Sequence, residues 1–197
     1  TRNEEALNAS LEIMRLFGTK FPDRPNKLHI VQSLIATKLR LRGKSADQLV
    51  ARPEMSEPTS AALMEILPYA AAAAYFAKPD LFPLIVFKQV SLSVQYGNHL
   101  QSAFAYATYG LVMCGSTLEF DEGLKFGEIA VRLLDKFKAD SVFTRTHFIT
   151  GGFIRHWRYH FRETLDELIG AYQKGLETGD FTYGSYAVFN HLSAKFY

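Results

Sequence analysis

His156 and His160 stand four residues apart, and Glu163 follows close behind. On an α-helix this spacing puts the three side chains on one face, and such a face can hold zinc. A zinc-protease helix also needs a glutamate directly after its first histidine, as general base. Trp157 occupies that place, and no glutamate lies between the two histidines. The same segment carries Arg155, Arg158 and Arg162 at i, i+3 and i+7. Guanidinium groups in that register can receive an acidic peptide, a phosphate or an acidic surface of a neighbouring domain. The alternative is a solvated helix face with local ion pairs to Glu163 and Asp166. Arg155, His156, Arg158, His160 and Arg162 are therefore the candidate partner-binding residues, with no metal or cofactor assigned.

Other chemistry is sparse. Lys38, Arg40, Arg42 and Lys44 form a second basic cluster. Gly43-Lys44-Ser45 resembles the end of a phosphate-binding loop, but Lys38 stands where that loop needs its first glycine, and a helical pattern precedes it. Cys114, the single cysteine, sits in an apolar segment and reads as a buried thiol. It also excludes an intrachain disulfide framework. Asn8-Ala9-Ser10 is a glycosylation sequon with no secretory signal to support it. No nucleophile–histidine–acid order, dinucleotide glycine signature or kinase catalytic loop occurs, so the chain reads as non-catalytic. Among 197 residues, 22 are Lys or Arg and 20 are Asp or Glu, giving a net charge of +2. That balance gives no bulk-charge basis for binding nucleic acid or a membrane. With 48% hydrophobic residues, the chain can bury a core.

The elements that must position these residues are helical. Phe126, Ile129, Ala130, Leu133, Leu134 and Phe137 form one apolar face between Asp121 and Phe137. Asp121/Lys125 and Glu128/Arg132 are i,i+4 pairs on the other side. Leu165, Leu168, Ile169, Tyr172 and Leu176 repeat the pattern. Leu7, Leu11 and Met14 mark a first helix that Gly18 ends; Val31, Leu34 and Ile35 mark a second that ends near Gly43. Residues 53–58 read as a joint, dividing an N-terminal helical segment (1–52) from a repeat region (53–197), unless 1–197 is one continuous domain. The next helix should bend at Pro68, and its Ala70–Ala74 run predicts close helix contact. A further helix runs from near Pro79 to Gly97, although Leu84–Val94 is rich in β-branched residues. Residues 89–118 carry no Asp, Glu, Lys or Arg. The polar residues among them and the Gly97-Asn98 turn predict two buried helices rather than a membrane span. The aromatic residues fall at helical spacing and read as core.

The C-terminal half overlays on itself with a period of 41 residues. Phe120, Leu124 and Ala130 recur as Phe161, Leu165 and Ala171; Ala105, Thr146 and Ala187 keep the same interval, as do Tyr106, His147 and Val188. Gly179-Asp180 supplies a helix stop and a new N-cap. Two helices per unit at this period define an α-solenoid. Phe120-Asp121-Glu122-Gly123-Leu124, with Ala130 later, resembles the second helix of a tetratricopeptide unit, and Gly110 resembles the small residue of the helix before it. Gly123 replaces the usual alanine, the closing proline is missing, and 41 exceeds the standard length of about 34. The expected fold is thus all-α: antiparallel helix pairs in a tetratricopeptide-like, right-handed solenoid. The last helix, Asp180 to Tyr197, is apolar through Tyr183, Tyr186, Val188, Phe189, Leu192 and Phe196 and lacks a partner helix. With the non-methionine start at Thr1, it predicts a fragment of a longer chain.

Several phrases together carry a family resemblance. They are Pro25-Asn26-Lys27-Leu28-His29, Ala74-Tyr75-Phe76-Ala77 followed by Pro79-Asp80-Leu81-Phe82-Pro83, Ser102–Ala107 with Tyr109-Gly110, and Phe153-Ile154-Arg155-His156-Trp157. Their order resembles the helical region after the ATPase module in large bacterial signalling proteins. Those proteins join a serine/threonine kinase, an AAA-like or STAND-type ATPase, helical repeats, and often a sensor domain and histidine kinase. The resemblance implies a cytoplasmic signalling arm that binds a protein, peptide or inducer and couples it to neighbouring domains of the same chain. It transfers no active-site residue. The alternatives are a structural spacer, or a metal-binding or enzymatic protein using His156, His160 and Glu163.

Overall fold

A computed structural model describes residues 1–195. Among them are ten α-helices and no strand. Contacts divide the chain into two compact units, Thr1–Ala105 and Tyr106–Tyr197.

The first unit is built from α1 (Arg2–Leu16), α2 (Lys27–Leu41), the short α3 (Ala46–Val50), α4 (Pro58–Ala77), α5 (Phe82–Tyr96) and the start of α6 (Ser102–Val112). Each boundary has a local cause. Thr1 and Glu4 form a reciprocal capping box at α1. Asn26 accepts the His29 amide at α2, and Glu57 accepts the Thr59 and Ser60 amides at α4. Gly18 and Gly43 follow α1 and α2 in the left-handed conformation. The helix α4 continues through Pro68 and packs against both α1 and α5. Ala70, Ala71, Ala73 and Ala74 are buried in the same cluster as Leu7, Met14, Leu67 and Ile85. A methyl side chain lets helix axes approach closely, as the alanine run predicts. By length and composition α4 could also cross a membrane, but half of that stretch is buried in the protein.

The joint expected at residues 53–58 is a connection inside this unit. Asn98 holds it: its amide donates to Pro53 O (2.8 Å), its carbonyl accepts the Met55 amide (2.8 Å), and its side chain donates to Leu49 O (2.7 Å). Gly97 is required beside it. Its φ is +104°, and a Cβ there would lie 2.5 Å from Pro53 O. The β-branched segment Leu84–Val94 is helical throughout, because burial on most sides outweighs its modest propensity.

The second unit contains the rest of α6, then α7 (Phe120–Phe137), α8 (Asp140–Ile149), α9 (Leu165–Thr178) and α10 (Phe181–Ala194). Helix α6 ends in a π turn, Met113–Thr117. The expected face of α7 is buried, with Phe126, Ile129, Ala130 and Leu133 fully so. One expected pair is exchanged for others: in place of Asp121/Lys125, Lys125 meets Glu122 (3.6 Å), and Asp121 meets Arg158. Helices α8, α9 and α10 pack on one another in all three combinations. The 41-residue interval reappears in the elements. Left-handed caps fall at Lys138 and Gly179, and helices open at Asp140 and Phe181.

Two apolar faces are oriented differently from the simple pattern. On α2, Val31 and Ile35 are exposed and Leu34 is half-buried. On α10, the small or polar residues Gly184, Ala187, His191 and Ala194 face inward, while Phe189 and Leu192 face out. Close approach of α9 selects the small-residue face: a Cβ on Gly175 would lie 3.1 Å from Gly184 Cα. Phe196 lies outside the described residues.

Candidate functional site

The segment carrying the candidate residues is a corner, not a continuous helix. Helix α8 passes into a π turn at Thr150–Ile154 and a 3-10 turn at Arg155–Trp157. Residues 158–160 are irregular, and a second 3-10 turn, Phe161–Thr164, leads into α9. Gly151 and Gly152 sit inside this path for lack of room. A Cβ on Gly152 would lie 2.7 Å from Asn190 Nδ2, and one on Gly151 would lie 3.3 Å from the Glu167 carboxyl carbon. The i, i+3, i+7 register of the arginines is therefore broken.

His160 and Glu163 spend their polar atoms on the new turn. His160 Nδ1 accepts the Arg162 amide (3.2 Å), and Glu163 Oε1 accepts the His160 amide (3.2 Å). This reciprocal cap stands in place of the helical face on which His156, His160 and Glu163 would form the alternative zinc site. Among the described residues, no group of three His, Cys, Asp or Glu side chains is placed to hold a metal ion. His156 is half-buried beside the rings of Trp157 and Phe161. Burial lowers its pKa below the usual histidine value, against an opposing backbone interaction with Gly152.

The arginines part company. Arg155 reaches Glu167 (3.1 Å) and Arg158 reaches Asp121 on α7. Neither takes the expected partners Glu163 and Asp166. Arg162 is exposed and uses its backbone amide, not its guanidinium, in the cap. Trp157 stacks on Phe120 with ring centroids 4.5 Å apart, yet remains 45% exposed; Tyr159 is exposed beside it, with the Arg155 guanidinium over its ring. The corner thus presents Trp157, Arg158, Tyr159, His160 and Arg162 to solvent.

Beneath it lies a feature that the linear pattern did not reveal. Glu167, with its side chain 9% exposed, accepts from His147 Nδ1 (2.8 Å), from the Thr150 hydroxyl and from Arg155. Burial pushes its pKa up, but the hydrogen bonds from His147 and Thr150 and the nearby charges outweigh burial and hold it below the usual glutamate value. This ionised carboxylate ties α8, the corner and α9 together. The only sequence sign of it was His147, noted there as a repeat position.

Of the second basic cluster, Lys38 and Arg40 lie in the last turn of α2, Arg42 caps it and Lys44 follows. The expected buried thiol is found: Cys114 is fully buried, and burial pushes its pKa up to about 11. Comparison with known protein families, curated proteins and solved structures finds no match to this chain.

Proposed function

We propose that this chain is a non-catalytic helical-repeat module that binds an acidic protein or peptide through the corner at residues 155–162. The carrying observation is that this corner exposes Trp157, Tyr159 and two arginines on a base fixed by Glu167 and Phe120. Tryptophan, tyrosine and arginine dominate binding hot spots, because they combine large apolar area with directional polar groups. A rigid base lowers the entropy lost on binding. The recurrence of helix starts and left-handed caps at 41 residues supports a tetratricopeptide-like solenoid of antiparallel pairs.

The signalling context rests on the phrase resemblance alone. On that reading the module works in the cytoplasm as an arm that couples partner binding to neighbouring ATPase or kinase domains of the same chain. Such coupling requires the partner to contact the arm differently in two states.

The single tryptophan makes the test direct. The protein is titrated with a polyglutamate peptide while Trp157 fluorescence is followed. A saturable change that Arg162→Glu and Arg158→Glu weaken by about tenfold each supports the reading. No saturable change, or equal affinity in the charge-reversed proteins, overturns it in favour of a spacer.

A further inference from the structure

A cleft of about 640 Å³ lies wholly within the first unit, between α2, α5 and the α1–α2 connection. Small-molecule sites typically occupy about 300–1,000 Å³. Three cationic side chains line it: Lys20, Arg40 and Lys88. The one carboxylate in the lining, Glu57, is already used, accepting the Thr59 and Ser60 amides at 3.0 and 2.6 Å.

Lys88 is the unusual group. It is half-buried on α5, and among the described residues it makes no hydrogen bond or ion pair. Burial and the positive charge of Arg40 both lower its pKa. A half-buried ammonium near a second positive charge opposes folding, and an anion bound between the two offsets that cost. Hydrogen-bonding groups surround the same space. Thr37 and Ser91 bring their hydroxyls within 3.4 Å of each other across α2 and α5. His29, which also lines the cleft, has a buried Nδ1 without a partner. Phe21 and Phe87 add apolar surface to the lining.

We infer that this cleft binds a phosphomonoester of a small organic molecule. The dianion sits between Lys88 and Arg40, with the Ser91 hydroxyl as a further donor, and the organic body lies against Phe21 and Phe87; the Thr37 hydroxyl already donates to Ser33 O (2.8 Å). Two cations that form no ion pair with a carboxylate among the described residues match a doubly charged group better than a single carboxylate. The remaining volume exceeds what a free phosphate fills. This site is independent of the 155–162 corner, so either assignment can fail without the other.

Calorimetric titration tests it with three probes: phenyl phosphate, benzoate and inorganic phosphate. Phenyl phosphate should bind saturably and at least about tenfold more tightly than the other two. Lys88→Met should abolish that binding, Arg40→Gln should weaken it, and Lys88→Arg should retain it. Lys88→Met should also raise the melting temperature in anion-free buffer, because it removes the buried charge. That separates loss of the site from loss of the fold. The inference is overturned if phenyl phosphate does not bind, or binds equally to Lys88→Met. Benzoate binding as tightly overturns the dianion, and inorganic phosphate binding as tightly overturns the organic body.

Discussion

Gly110 on α6 and Gly123 on α7 are packed backbone against backbone. A Cβ on Gly110 would lie 2.8 Å from the Gly123 carbonyl oxygen, and one on Gly123 would lie 3.0 Å from that of Gly110. The Gly123 Cβ would also overlap the Cys114 sulfur. Glycine at position 123 thus has a steric cause: Cys114 occupies the space that a methyl group would need.

Gly123→Ala should accordingly destabilise the protein by about 1–3 kcal/mol, the range for forcing an extra carbon into a packed core. Gly170→Ala is the control. Its Cβ meets nothing within 4 Å, and it lies in α9, where alanine favours the helix. It should stabilise by about 0.5–1 kcal/mol. Adding Cys114→Ala to Gly123→Ala should recover part of the loss. Urea denaturation of the wild type, Gly123→Ala, Gly170→Ala, Cys114→Ala and the double variant measures these effects, and additivity of the pair would refute the steric coupling.

The ion pairs of the corner should differ sharply in worth. Glu167→Ala leaves His147, Thr150 and Arg155 without their shared acceptor, at a largely buried place. A loss of about 3 kcal/mol is expected. Asp121→Ala removes the partner of Arg158, but the Asp121 side chain is 83% exposed. Its effect should stay within about 0.5 kcal/mol, because solvent screens the pair. Thermal melts of both variants decide the ranking.

The contrast between α7 and the corner shows what the sequence made legible. Phe126, Ile129, Ala130 and Leu133 announce a buried face by period alone, since each large apolar side chain gains by leaving water. The glycine stops and the Asp180 cap were equally visible, because each acts on its own backbone. The corner was not. Its helical register is broken where Gly151 and Gly152 pass close to Glu167 and Asn190, contacts that only the tertiary structure brings together. The inward face of α10 was not legible for a related reason. Close helix approach selects small residues such as Gly184 and Ala187, whereas hydrophobicity counting selects Phe189 and Leu192. Glu167 itself resembles any other helix-face glutamate until His147, Thr150 and Arg155 converge on it.

Cys114 should resist alkylation in the folded protein. It has no exposed surface, and burial raises its pKa to about 11, so little thiolate forms at neutral pH. Mass spectrometry after iodoacetamide treatment should find it unmodified without denaturant and fully modified in urea. Fast native labelling would show that the α6–α7 contact opens readily.

Mild acid should destabilise the fold through two histidines. His156 is half-buried against Trp157 and Phe161, and burial is the larger influence on it. His99, in the first unit, is likewise lowered by burial, with Glu65 and Glu54 opposing. In both cases the folded state binds its proton less readily than the unfolded chain, whose histidines titrate near about 6.5. Below that pH the unfolded state takes up more protons, so stability rises with pH through this window and is lost as pH falls. The melting temperature should therefore drop between about pH 7.5 and pH 5.5, before the low-pKa carboxylate Glu167 begins to protonate. His156→Phe removes one of the two contributions and should flatten that slope. An unchanged slope in His156→Phe would mean that its ring keeps its proton equally well folded and unfolded, contrary to its packing.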